Sequence, residues 1–163
     1  MIVNQWRHVA AIPFKYRHKL KAAVEEARTK KRYGLRDELK ANPTQEQALQ
    51  HCVPIKSVTI RVGRRGYELT VHEPEKWLQV VDETYWIYEN PLVGDIMQAY
   101  YDSFDTYPRK PDVISGLRGV SRSTFYAWRS EFLEDAVLIA SKSGLIEKKK
   151  CKKVLNKITI NLW

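Results

Sequence analysis

The residues from 111 to 144 constrain the fold of this chain most strongly, because they predict a short helix, a tight turn and a long second helix. Gly119 provides the backbone freedom that a sharp turn requires. Ser121 follows as a good N-cap, since its hydroxyl can accept a hydrogen bond from the amide of Ser123 or Thr124. Two helices joined in this way are typical of a helix-turn-helix, and we interpret the segment as one.

The long second helix has one apolar face and one polar, basic face. Apolar residues at spacings of three and four predict a buried stripe, which consists of Phe125, Trp128, Phe132, Ala136 and Ile139. On the other face Arg122, Tyr126 and Arg129 stand at i, i+4 and i+7. A recognition helix contacts phosphates and base edges, and these residue types can do both. The candidate DNA-binding residues of this segment are therefore Ser121, Arg122, Ser123, Tyr126 and Arg129, with Arg118 just before the turn glycine.

An αα-hairpin with merely solvated arginines would show much of the same pattern. Arg118 also departs from the usual helix-turn-helix, in which the residue before the turn glycine is apolar. The charge of the whole chain favours DNA binding, because 28 Lys and Arg residues outnumber 19 Asp and Glu residues and the net charge is +9. A protein this basic is expected to have a polyanionic partner, nucleic acid before membrane.

Length and composition set the outer bounds. A chain of 163 residues is long enough for one hydrophobic core, or for one domain with an appendage. No apolar run reaches membrane-spanning length, and the first residues lack a signal-peptide pattern. Cys52 and Cys151 lie far apart and outside any CxxC spacing, so we expect reduced thiols. Together these features predict a cytoplasmic protein.

Residues 1–53 predict a basic helical region. Pro13 suits the start of a helix that continues to Tyr33, where cations and Gly34 predict its end. Between residues 14 and 40 there are ten Lys or Arg residues against four acids. Such a surface could face DNA, but a charged helix face is more often simply solvated, and we favour the solvated interpretation.

Residues 54–73 carry the one clear β pattern, in which apolar and polar side chains alternate on both sides of a glycine-bounded tip. The alternation predicts a β-hairpin, and two strands alone are only marginally stable. The best candidate for a third strand is the alternating segment 157–163. Arg64 and Arg65 at the hairpin tip are candidate DNA-binding residues in the manner of a wing, although an ordinary solvated turn is the commoner case.

Residues 74–146 predict a helical DNA-binding domain that contains the helix-turn-helix, and residues 147–163 a lysine-rich segment with the C-terminal strand. Between 82 and 105 there are six acids and no Lys, Arg or His. A surface this negative would repel DNA, so we expect it to face away from DNA. It is either packed surface or a protein-binding face, for which RNA polymerase is one candidate partner.

The sequence offers no enzymatic constellation. The four histidines have no metal-ligand spacing. There is no glycine-rich phosphate loop and no nucleophile elbow. We therefore expect a non-enzymatic protein without catalytic residues, cofactor or metal.

The layout resembles that of phage-encoded transcriptional regulators of the RinA/ArpU type, whose C-terminal part is similar to region 4 of sigma-70 factors. The likeness extends over nearly the whole chain. Its matching pieces are the basic helical start, Asn42-Pro43-Thr44, residues 74–78 leading into 82–85, and, most specifically, residues 119–126 continuing to Trp128 and Arg129. The resemblance implies a phage or prophage late-gene activator in the bacterial host cell, which binds double-stranded DNA near a promoter and acts with host RNA polymerase. It also implies that Ser121 to Arg129 is the recognition helix.

The sequence thus predicts a mainly α protein with a small antiparallel β element and a C-terminal helix-turn-helix, to which the hairpin can add a wing. Two other functions remain open. One is a phage small terminase subunit, which joins a helix-turn-helix to further helices and assembles into rings for DNA packaging. The other is a protein-interaction module whose basic patches only aid solubility. Homo-oligomerisation is also open.

Overall fold

Five helices and one small antiparallel sheet make up the described part of the chain, a computed structural model that covers residues 2–38, 54–63, 65–88, 91–106, 114, 119–146 and 158–161. The fold there is mainly α with a small antiparallel β element, as the sequence predicts. The helices are α1 (Ile2–Lys15), α2 (Arg17–Glu38), α3 (Pro74–Ile87), α4 (Pro91–Thr106) and α5 (Arg122–Lys142), and the strands are β1 (Ser57–Val62), β2 (Tyr67–His72) and β3 (Ile158–Asn161).

The prediction of a single helix from Pro13 to Tyr33 is wrong at both ends. Pro13 lies inside α1, and the helical path breaks only at Tyr16, after which α2 continues through Gly34 to Glu38. The reason at the first end is packing. Trp6, Ala10 and Ala11, which precede the proline, are buried together with Phe14, so burial of one helical face overrides the local preference of proline for a first turn.

The sheet confirms the predicted hairpin and the predicted third strand. Strands β1 and β2 pair antiparallel, with Ile60 opposite Leu69, and β3 joins the other edge of β2, with Ile158 opposite Val71. In β1 the side chains alternate between exposed and buried along the strand. Helix α2 packs against β1 and contributes to the cover that two strands alone would lack.

The core is centred on α5, which packs against both α1 and α3. The ring of Phe132 is fully buried, and its centroid lies 5.0 Å from that of Phe14, 5.3 Å from that of Tyr85 and 5.2 Å from that of Tyr88. Such aromatic pairs add to the stabilisation from buried apolar area. The predicted buried stripe of α5 is confirmed, except that Trp128 is only half-buried against the core.

Helix α5 has the ends that the sequence predicts. Ser121 caps its start, and Gly144, with a φ of 72°, follows its C-cap. The Leu145 amide donates to the Ala140 carbonyl at 2.9 Å and the Gly144 amide to the Ser141 carbonyl at 3.2 Å, the two hydrogen bonds of a Schellman motif. The predicted first helix of the helix-turn-helix lies outside the described residues, apart from the buried Ile114.

Candidate nucleic-acid interface

The start of α5 is fixed by a side-chain cap. The Thr124 amide donates to the Ser121 hydroxyl at 3.1 Å, and that hydroxyl also lies 2.9 Å from the Ser123 hydroxyl and 2.7 Å from the Thr124 hydroxyl. The preceding Gly119 has a φ of 67°, in the left-handed region that favours glycine. This local chemistry sets where the helix begins and therefore which side chains occupy its first turn.

The first two turns of α5 present a polar, cationic and aromatic surface. Arg122, Ser123 and Tyr126 are exposed, whereas Phe125 is fully buried beneath them. The guanidinium carbon of Arg122 lies 5.7 Å from the centroid of the Tyr126 ring, within the range of a cation–π contact. The two faces of the helix are thus clearly divided, with the apolar side buried and the candidate DNA-binding side facing outward.

Arg129 does not share this exposed surface in the way that its spacing predicts. It is half-buried, and its guanidinium carbon lies 5.5 Å from the centroid of Tyr100 on α4. Its Nε atom is buried without a hydrogen-bond partner among the described residues. The Tyr101 hydroxyl lies close enough to the guanidinium group to interact with it. Helical spacing gives the direction of Arg129 correctly, but two turns beyond Arg122 the neighbouring helix α4 covers part of that face.

Two residues that the sequence reasoning missed lie beside Arg129. Arg7 and His8 of α1 join Tyr126, Arg129, Ser130 and Leu133 of α5 around a cleft of about 410 Å³. Arg7 also forms an ion pair with Glu134 of α5. No local sequence signal could have identified Arg7 and His8, because only the packing of α1 against α5 brings them to this face.

Several basic side chains of α2 form ion pairs with acidic side chains. Arg28 lies 2.7 Å from a carboxylate oxygen of Glu75, Lys30 lies 2.7 Å from one of Glu26, and Arg17 pairs with Asp82 of α3. These acids offset the charge of three of the eight Lys and Arg residues of this helix. The contacts favour a packed and solvated role for α2 over a DNA-facing one.

The acidic region contributes to the same arrangement. Asp82 faces Arg17, and an Asp102 carboxylate oxygen lies 3.4 Å from Nε2 of His18. At the far end of α3, Trp86 is 84% exposed. The region from 82 to 105 is therefore part packed surface, paired with α2, and part open surface with an exposed aromatic side chain.

The remaining candidate DNA-binding residues lie outside the start of α5. Arg65 is exposed at the hairpin tip, where its Nη1 atom lies 3.5 Å from the Tyr67 hydroxyl. Arg64 and Arg118 lie outside the described residues. Within the described residues there is no group of three or more His, Cys, Asp or Glu that could hold a metal ion. None of the helices in that part of the chain is long and apolar enough to cross a membrane.

Comparison with known proteins adds no assignment to this site. The chain matches no family model, no curated protein and no solved structure. The resemblance to RinA/ArpU-type regulators therefore stays a prediction, and the function has to be argued from the residues themselves.

Proposed function

We propose that this protein is a sequence-specific DNA-binding transcriptional regulator in which residues 111–144 form a helix-turn-helix and α5 is the recognition helix. The observation that carries the proposal is the start of α5. A serine cap and a fully buried Phe125 fix the helix, while Arg122, Ser123 and Tyr126 stand exposed on its outer face. Residues in the first turns of a recognition helix are those that reach base edges in the major groove.

The chemistry of the exposed residues supports this role. An arginine can bind the O6 and N7 atoms of guanine with two parallel hydrogen bonds, and serine and tyrosine hydroxyls can bind phosphate oxygens. The net charge of +9 would supply the attraction to DNA that does not depend on sequence. Acids pair with several cations of α2, which leaves those cations less charge to offer to a phosphate.

In this proposal the protein is a phage or prophage late-gene activator that acts with host RNA polymerase through the acidic region 82–105. A negative surface cannot approach DNA closely, but it can bind a protein. Trp86, 84% exposed, and Ile87, 47% exposed, add apolar area of the kind enriched in protein interfaces.

Trp86→Ala is then expected to leave DNA affinity and the melting temperature unchanged and to lower transcription from the target promoter. Activation equal to that of the unaltered protein would contradict this contact.

Genome-wide footprinting of the bound DNA tests the proposal as a whole. A regulator gives a few discrete sites at fixed positions relative to promoters, whereas a basic protein that ignores sequence gives none. Light scattering on the purified protein separates the small-terminase alternative. A ring of about eight or more subunits, with footprints at a packaging site and not at promoters, would replace the proposed function with DNA packaging.

A further inference from the structure

The cleft between α1 and α5 is lined by polar and basic side chains from both helices. Arg7 and His8 enter from α1, and Tyr126, Arg129 and Ser130 enter from α5. The two arginines stand on different helices and face one cleft of about 410 Å³. The only acid paired with either of them among the described residues is Glu134, which pairs with Arg7.

The state of the two arginines points to an anion. A guanidinium has five N–H donors in a planar fork that matches the oxygens of a phosphate. Arg7 and Arg129 both line the cleft; their Nε atoms are themselves buried, so the terminal nitrogens of the two guanidinium groups are the donors that an anion would meet. His8, Tyr126 and Ser130 supply further polar groups to the lining of the cleft. A phosphate in this cleft would meet two guanidinium groups, of which only one has a carboxylate beside it.

We propose that this cleft binds a phosphate of the DNA backbone, with Arg7 and Arg129 as the cationic ligands and His8 and Ser130 in its lining. The inference rests on the proposed function and adds a second helix, α1, to the DNA-facing surface. It also gives Arg129 a role that differs from that of Arg122, because phosphate contacts fix the position of a protein on the duplex while base contacts read its sequence.

The placement along α5 agrees with this division. Arg122 and Ser123 occupy the first turn, from which a recognition helix reaches bases, and Arg129 stands two turns further on. The contact of Arg129 with the Tyr100 ring orients its guanidinium without neutralising it, since a ring face attracts a cation but carries no net charge. A purely structural Arg129 would make the same ring contact, so the test must use a residue outside that packing.

His8 is such a residue, because it is exposed, and His18 on α2, which is also exposed but lies beside Asp102, is the control for total charge. Both are exposed histidines on helices, so the same substitution changes the total charge of the protein identically. His8→Lys is expected to tighten DNA binding roughly five- to tenfold at about 0.1 M salt and to steepen the slope of log K against log salt by about 0.9, the value of one added phosphate contact. His8→Glu is expected to weaken binding by a similar factor. The same two changes at His18 should have much smaller effects.

The measurement is a titration of each variant against operator and scrambled duplexes over a range of salt. Because a phosphate contact carries no sequence information, the two affinities should change in parallel in the His8 variants. Equal effects of the His8 and His18 variants would overturn the inference, since only total charge would then matter. If the unaltered protein binds neither duplex, the proposed function fails; if it binds the operator and the His8 variants do not differ from it, only the cleft assignment fails.

Arg7→Gln tests a ligand directly. It is expected to reduce the salt slope by about 0.9 and to weaken binding to both duplexes alike. Because Arg7 also pairs with Glu134, its melting temperature is measured beside that of Glu134→Gln, which breaks the same ion pair but keeps the cation. If both variants bind DNA more weakly, or if neither does, Arg7 is not a ligand of the phosphate.

A third experiment titrates inorganic phosphate at matched ionic strength. Phosphate binding that His8→Glu abolishes without any effect on DNA affinity would assign the cleft to a small phosphate ligand and overturn the DNA inference.

Discussion

The cations of α2 and those of the α1–α5 face, which are Arg7, Arg122 and Arg129, have carboxylates and aromatic rings beside them in different proportions. On α2, Arg17, Arg28 and Lys30 each lie beside a carboxylate. At the α1–α5 face, Arg7 pairs with Glu134, and the guanidinium groups of Arg122 and Arg129 lie over the rings of Tyr126 and Tyr100. A carboxylate cancels the charge of its partner, whereas an aromatic ring attracts a cation without cancelling its charge.

This difference matters more than the number of cations in each region. Composition alone makes the N-terminal third the most basic helical stretch, with ten Lys or Arg residues between 14 and 40. Yet a cation that already has a carboxylate partner gains less from a phosphate, because it must first lose or share that partner. A cation that lies beside an aromatic ring, such as Arg129, is therefore better suited to bind a phosphate than a cation whose charge a carboxylate already offsets, such as Arg28.

The largest expected effect concerns the buried side that holds α5 in place. Phe132→Ala removes a fully buried ring that contacts Phe14, Tyr85 and Tyr88, and we expect it to lower the free energy of unfolding by about 3–5 kcal/mol. Leu138→Ala on the same helix, where the side chain is 53% exposed, should change it far less. Denaturant unfolding monitored by tryptophan fluorescence measures both. Equal effects would mean that α5 is not anchored by this face, and its candidate DNA-binding surface would then not be held in a fixed position.

Much of α5 could be predicted because its determinants are local. Ser121 caps the helix through an amide three residues away, and Gly144 ends it through hydrogen bonds within the last turn. The buried stripe follows from helical periodicity in the same way. The three strands were also predictable, since alternation marks each of them separately. The pairing of the hairpin with the C-terminal strand was expected because two strands alone are only marginally stable.

What the sequence could not reveal depends on contacts between distant segments. Pro13 favours a helix start locally, but the buried residues before it extend α1 past that position. Arg129 has the right direction on α5, and only the position of Tyr100 decides that it is half-buried. Arg7 carries no motif, and it joins the candidate site only because α1 packs against α5. Helical spacing predicts which way a side chain points and leaves undetermined what lies opposite it.

The second prediction tests the comparison between the two basic surfaces directly. Arg122→Ala is expected to reduce the discrimination between operator and scrambled DNA by about 1–3 kcal/mol, because a bidentate arginine contact to guanine would be lost. Arg28→Ala removes the same charge from α2, beside Glu75, and should leave this discrimination unchanged. A competition titration at one salt concentration measures both variants. If Arg28→Ala reduces discrimination as much as Arg122→Ala, the division into a paired and a DNA-facing surface is wrong.

The third prediction concerns what the paired cations of α2 do instead. Arg28 and Glu75 join α2 to α3 with side chains that are 35% and 29% exposed. Ion pairs at the surface contribute little to stability, and this pair is only partly buried. Arg28→Ala should therefore lower the free energy of unfolding by about 1 kcal/mol or less. Lys30→Ala, whose pair with Glu26 lies on the surface of α2 itself, should cost less still. Thermal unfolding at low and high salt checks the order, and a larger loss for Lys30→Ala would reverse it.

The smallest expected effect concerns Lys15 of α1, another cation that lies over an aromatic ring, 5.1 Å from the centroid of Phe104. Burial, and then the positive charge of Arg129, lower the pKa of the Lys15 ammonium below its ordinary value of 10.5. Between the lowered folded value and 10.5, the unfolded chain binds a proton that the folded chain does not. The stability of the unaltered protein should therefore rise with pH through this window, and at neutral pH the full cost of burying the charge is present.

Lys15→Met removes that cost and keeps most of the apolar stem of the side chain. We expect it to raise the free energy of unfolding slightly at neutral pH and to remove the contribution of this residue to the rise in stability as the pH approaches 10.5. Lys30→Met provides the matched control, because its ammonium group lies beside Glu26 and should not destabilise the fold. Denaturant unfolding of the three proteins at several pH values between 7 and 10 separates the cases. A lower stability of Lys15→Met at neutral pH would contradict this prediction. It would mean that the attraction of the Lys15 ammonium to the Phe104 ring outweighs its burial and its repulsion from Arg129. An aromatic neighbour would then compensate fully for the burial of a cation.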